Sequence, residues 1–123
     1  MISHPTAVEL SEAIAAFDAE PALHGDARQA FLARVADNAR ATVAREAERG
    51  AQLEAEAVER LRSLLGREGD FATLNAALCA ALREGRIAPT DPSLLAHLRA
   101  TAIGQIQIDQ PAYGGLEALL AAG

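Results

Sequence analysis

The sequence predicts an all-α protein, on three observations. Alanine supplies about a quarter of the 123 residues, and it has the best intrinsic helix propensity while letting helices approach closely. Aromatic residues make up only 3% of the chain and Trp is absent, so a core must be built from Ala, Leu, Ile and Val. Pro and Gly fall at intervals between long Ala/Leu/Glu/Arg stretches, as they do where helices are joined by short connections. A chain of this length is one domain's worth. The expected architecture is a single-domain bundle of about five helices, mostly antiparallel with short loops, over residues 1–113, with a C-terminal tail or short helix over 114–123.

Each element has a local reason. Thr6-Ala7-Val8-Glu9 fits a capping box and opens a first helix over Ala7 to Asp18, with Leu10, Ala13, Ile14 and Phe17 on one face. Pro21 and Gly25 break the chain, and Asp26 caps a second helix from Ala27 to Arg49, whose inner stripe is Phe31, Val35, Ala39 and Thr42. Gly50 punctuates, and a third helix runs from Gln52 to Leu65, with Leu53, Ala57, Leu61 and Leu64 at helical spacing and a mixed-charge outer face. After a Gly66-Arg67-Glu68-Gly69 loop, Asp70 caps a fourth helix to Glu84, with Phe71, Leu74, Leu78 and Leu82 inward and Gly85 as its stop. Asp91 and Pro92 then supply the N-cap and first position of a fifth helix reaching Asp109, with Leu94, Leu98, Ala102 and Ile106 as its inner face.

Composition excludes several activities. The formal net charge is -6 and every basic side chain is Arg. An acidic domain without a basic stripe is a poor binder of nucleic acid and of anionic membranes. No apolar run approaches the ~20 residues that span a bilayer. Met1-Ile2-Ser3-His4-Pro5 lacks the basic and apolar regions of a signal peptide. One Cys makes no internal disulfide. The expected setting is the cytoplasm of a bacterial-type cell.

The candidate site consists of polar residues on or beside faces that otherwise read as buried. On the second helix these are Arg34, Asn38, Arg45 and Glu46; on the fourth, Asn75; on the fifth, Gln105 and Asp109. Asp109 stands at a helix C-terminus, where the macrodipole disfavours an anion, so it calls for a cation such as Arg34 or Arg45. Two readings stand. The group forms a polar pocket for a small anionic ligand, or it forms an internal salt-bridge and amide network that fixes helix register. Tyr113, the only Tyr, is either a recognition residue or a lid over the end of the bundle. No metal site and no cofactor is expected: His4, His24 and His97 stand at unrelated places and read as surface or capping residues, and no phosphate-binding loop occurs. Cys79 reads as a small apolar group without a neighbouring base.

Three blocks resemble the signature of a small bacterial all-helical family of unknown function. They are Phe31-Leu32-Ala33-Arg34-Val35-Ala36-Asp37-Asn38 with Val43-Ala44-Arg45-Glu46, then Leu74-Asn75-Ala76-Ala77-Leu78-Cys79 with Arg83 and Gly85. The third is Leu94-Leu95-Ala96-His97-Leu98-Arg99-Ala100-Thr101 running on to Ile108-Asp109-Gln110-Pro111-Ala112-Tyr113. Pro5-Thr6-Ala7-Val8-Glu9-Leu10 fits the family's opening, and the tail after Tyr113 is not matched. The family tends to have Lys where Gln105 stands and Asn where Gln110 stands. Its members are typically encoded beside kinases resembling aminoglycoside and choline phosphotransferases, and beside acyl-CoA dehydrogenases.

What the resemblance implies is a non-catalytic helical accessory, either docking on such a kinase-like neighbour or self-associating as a homodimer. That reading needs an apolar face beyond the core, for which Val43, Val58 and Leu65 are candidates. The alternative is a small-molecule binder or weak enzyme using the Arg/Asn/Asp group, which needs a solvent-connected cavity.

Overall fold

The computed structural model describes residues 5–20 and 27–122. Every regular element among them is helical: α1 (Ala7–Ala19), α2 (Ala27–Leu65), α3 (Phe71–Arg83), α4 (Pro92–Asp109) and α5 (Leu116–Ala121). The all-α class read from composition is thus the class of the chain. No described helix is long and apolar enough to cross a membrane. The readings of His4, Pro21, His24, Gly25 and Asp26 fall outside the described residues. Two compact units divide the chain, Met1–Gly50 and Ala51–Gly123.

In the first unit, α1 opens as the sequence predicts. The Thr6 hydroxyl accepts from the Glu9 amide at 3.2 Å, and Glu9 accepts from the Thr6 amide at 2.6 Å. Two orphan donors of the first turn are satisfied reciprocally. Leu10, Ile14 and Phe17 are half-buried, whereas Ala13 is exposed. An ion pair between Asp18 and Arg40 joins the end of α1 to α2, and Arg40 also donates to Asp37 at 2.7 Å.

The stripe expected on this stretch of α2 is turned. Phe31 is 56% exposed and Val35 48%, while Ala36 is buried. Leu32, Ala36, Ala39 and Val43 are among the less exposed positions, in a 4-3-4 repeat that stays on one helix face, and Thr42 of the expected stripe is half-buried beside them. The Arg34 guanidinium stands 6.0 Å from the centre of the Phe31 ring, partly screening it from water.

Gly50 does not end a helix. It is buried inside α2, which runs unbroken from Ala27 to Leu65. A glycine in a helix interior costs only about 1 kcal/mol relative to alanine, so strong helix formers on both sides carry the helix through it. The missing Cβ has a local use. One placed there would come within 2.6 Å of Glu46 Oε1, so the Glu46 side chain lies across the bare backbone of Gly50.

The second unit holds a dense core. Leu61, Leu74, Leu78 and Leu94 form one buried cluster, with Val58, Leu64, Leu65, Phe71, Leu82 and Ile87 packed against it. Val58 and Leu65, expected as spare surface, are therefore part of this packing, and Val43 in the first unit is half-buried. Punctuation follows the sequence. Gly66 and Gly85 take φ of +62° and +69°, which suits residues without a Cβ. After α3 the Arg86 amide reaches the Ala81 carbonyl (2.9 Å) and the Gly85 amide the Leu82 carbonyl (3.1 Å), a Schellman motif. The Asp70 carboxylate accepts from the Thr73 amide at 2.8 Å. Asp91 accepts from the Ser93 and Leu94 amides at 2.8 and 3.0 Å, ahead of Pro92 in the first turn of α4.

α4 lies with a different face inward than expected. Its buried residues are Leu94, His97, Gly104 and Ile108, while Leu98 and Ala102 are exposed. The reason is geometric. The expected face stepped by four residues each time, and each such step turns about 40° around an ideal helix. The alternating steps Leu94, His97, Thr101, Gly104, Ile108 hold one side, which is why His97 is buried and not on the outer surface. Beyond Tyr113 the chain forms α5. Leu116 is buried, and the Arg99 guanidinium donates to the Leu119 carbonyl.

Candidate functional site

The polar residues singled out in the sequence divide between the two units, and each has a local setting. In the first, Arg34 and Asn38 are exposed. The Asn38 carbonyl accepts from the Thr42 hydroxyl at 3.0 Å, and that hydroxyl accepts from the Arg45 guanidinium at 3.1 Å. This short chain runs along a single helix. Glu46 is half-buried over Gly50.

In the second unit, Asn75 and Asp109 are exposed and Gln105 is half-buried. The Gln105 amide donates to the Asp109 carboxylate at 2.7 Å, one turn along α4. The role given to an arginine in the sequence reading is thus filled by a neutral amide on the same helix. Tyr113 is 51% exposed. Its ring lies against the backbone of Gly115, where a Cβ would come within 2.6 Å of Cε1. It covers a turn and leaves half its surface to solvent.

Two features of α4 organise the candidate site. The first is an outer stripe. Leu95, Leu98, Ala102, Gln105 and Asp109 follow the same 3-4-3-4 spacing as the buried face, displaced by one residue. Leu95 is 51% exposed and Leu98 47%. The helix therefore buries one side, anchored by Leu94 and Ile108, and is apolar at the start of the neighbouring side it presents to solvent, with an acid-amide pair closing the stripe.

The second feature is a cleft of about 540 Å³ between the end of α2 and the start of α4. From α2 come Arg60 and Leu64, both half-buried, with Glu59 and Ser63 at the exposed rim. From α4 and its cap come His97, with Asp91, Ser93 and Ala96 nearer the surface. His97 is only 3% exposed, and its Nδ1 is buried without a hydrogen-bond partner, as is Arg60 Nε. Burial, and after it the nearby Arg60 guanidinium, push the His97 imidazole below its ordinary value. The ring is consequently neutral at pH 7.

Arg60 and His97 were not among the residues the sequence singled out. The alternating spacing through Leu94, His97 and Thr101 was the available signal, because it puts a His on the buried side of a helix. Cys79 is half-buried and free. Among the described residues there is no group of three His, Cys, Asp or Glu side chains placed to hold a metal ion.

Residues 21–113 match one family model. The Pro5 to Leu10 block and the tail after Tyr113 lie outside that span. No curated protein and no solved structure matches the chain. With about three quarters of its length matched, the protein belongs to the family described as a domain of unknown function, DUF6285.

Proposed function

We propose that this protein is a non-catalytic helical accessory that docks on a protein partner through the outer stripe of α4. The observation that supports it is the pair of half-exposed leucines, Leu95 and Leu98, on a helix whose neighbouring side already fills a core. Exposed leucines at consecutive turns with Ala102 behind them offer a continuous apolar strip, and such strips on stable folds serve association. Asp109 at the end of the strip favours a partner with a basic or hydrogen-bond-donating group at that position.

The family resemblance supplies the candidate partner, a cytoplasmic kinase-like protein related to aminoglycoside and choline phosphotransferases, or an acyl-CoA dehydrogenase encoded beside it. Self-association through the same stripe is the other form this reading takes. The test is light scattering on the purified chain, alone and mixed with the kinase-like neighbour from its own host. A stoichiometric complex, or a dimer, that is lost on Leu98→Asp while helical content is unchanged is the expected result. A monomer that binds neither neighbour, or a complex indifferent to Leu98→Asp, rejects the reading.

A further inference from the structure

The cleft between α2 and α4 is a separate feature, and it asks for a ligand. Two of the side chains that line it carry buried nitrogens without hydrogen-bond partners, His97 Nδ1 and Arg60 Nε. Buried polar atoms in native folds are paired in the great majority of cases, and leaving one unpaired costs stability. Here two are left on adjoining helices, on side chains that line one solvent-connected cleft. The Thr101 hydroxyl, one turn beyond His97 on α4, is buried without a partner as well.

The chemistry of these two side chains narrows the ligand. Arg60 can only donate, and a neutral His97 carrying its proton on Nδ1 donates too. The group they suit has at least two acceptor oxygens. It is also an anion, since Arg60 pairs with no carboxylate among the described residues. The rim limits how much negative charge can enter, because the Glu59 and Asp91 carboxylates line the same cleft. One fixed positive charge against these two favours a monoanion over a phosphate dianion. Leu64 and Ala96 give the walls an apolar share, and the Ser63 and Ser93 hydroxyls stand at the mouth.

We propose that this cleft binds a small carboxylic acid as its carboxylate, held between the Arg60 guanidinium and the His97 ring with its carbon chain against Leu64 and Ala96. This proposal stands apart from the docking reading, since the cleft and the outer stripe are lined by different residues and the test uses the chain alone. It is tested by NMR titration of the folded, isotope-labelled full chain with sodium propionate, following the His97 ring resonances, and with inorganic phosphate in parallel. Expected is a saturable His97 shift with propionate and weaker, unsaturated binding of phosphate. Arg60→Gln should weaken propionate binding by roughly tenfold or more, the loss of one charge-assisted hydrogen bond. Arg60→Lys, which keeps the charge and loses the planar fork, should weaken it less, and it serves if Arg60→Gln does not fold. The proposal is overturned by a His97 signal that does not saturate with propionate. Phosphate binding more tightly than propionate, or folded Arg60 variants binding propionate as tightly as the parent, would overturn it too.

Discussion

The two compact units are held by different means. Ala51–Gly123 encloses large apolar side chains completely, Leu61, Leu74, Leu94 and Ile108, even though Leu95 and Leu98 stay exposed. In Met1–Gly50 the buried residues among those described are Ala36 and Gly50, both small, while Val8, Phe31 and Val35 are exposed. Small side chains bring backbones close but remove little apolar area from water, so each contributes little to stability. The first unit shows polar devices instead, the Thr6–Glu9 capping box within α1 and the Asp18–Arg40–Asp37 group between α1 and α2. Exposed ion pairs of this kind are worth little individually. A sequence of near-uniform Ala/Leu/Arg/Glu composition has thus produced one region with enclosed large side chains and another whose buried residues, among those described, are small.

The largest effect that would sharpen this contrast comes from one truncation in each unit. Leu74→Ala should destabilise the protein by about 2–5 kcal/mol, since it empties a fully enclosed site. Phe31→Ala should cost less than about 1 kcal/mol, although it removes more atoms, because the ring is already half in water. Denaturant melts of both variants measure this directly. A Phe31→Ala loss as large as that of Leu74→Ala would erase the distinction between the units.

A smaller effect tests how α2 tolerates Gly50. Alanine there should gain up to about 1 kcal/mol in helix propensity, and it must displace the carboxylate end of Glu46 to do so. That side chain is flexible, so the expected net change is a stabilisation of a few tenths of a kcal/mol up to about 1. In a Glu46→Ala background the gain should be fuller, and a double-mutant cycle by thermal melting reads the difference. A clear loss of stability in both backgrounds would show that the glycine serves something other than room for Glu46.

The last effect distinguishes the units by pH. His97 in the second is held below its ordinary value by burial and by Arg60, with the Glu59 and Asp91 carboxylates lining the same cleft. The unfolded chain then takes up a proton at that ring at a higher pH than the folded one does. Stability contributed by the neutral ring is present above the unfolded value, about 6.5. It is lost as pH falls through that value towards the lower folded one. Melts between pH 7.5 and 5.5 should therefore decline less steeply in His97→Gln than in the parent chain, and equal slopes would remove His97 from the account.

Local signals were the legible part of this fold. Thr6 with Glu9, Asp91 with Pro92, and Gly85 each act within one turn, and each made in the structure the bonds its spacing announced. The faces of helices were less legible. On α4 a ladder of four-residue steps through Leu98 and Ala102 looked apolar throughout, yet it winds away from the core that Leu94, His97, Gly104 and Ile108 enter. On α2 the largest side chains, Phe31 and Val35, drew attention away from Ala36. Of the candidate polar residues, Gln105 and Asp109 do meet, but as neighbours on one helix. The cleft depends on Arg60 and His97, which lie far apart in sequence and are adjacent only once α2 and α4 have packed.

The docking of α5 bears on where this family's domain ends. Kinship in sequence stops at Tyr113, whereas burial continues to Leu116 and a guanidinium on α4 reaches the Leu119 carbonyl. A fragment trimmed to the shared span would present an uncovered apolar seat and an arginine stripped of its acceptor. Its handicap would be stickiness in solution.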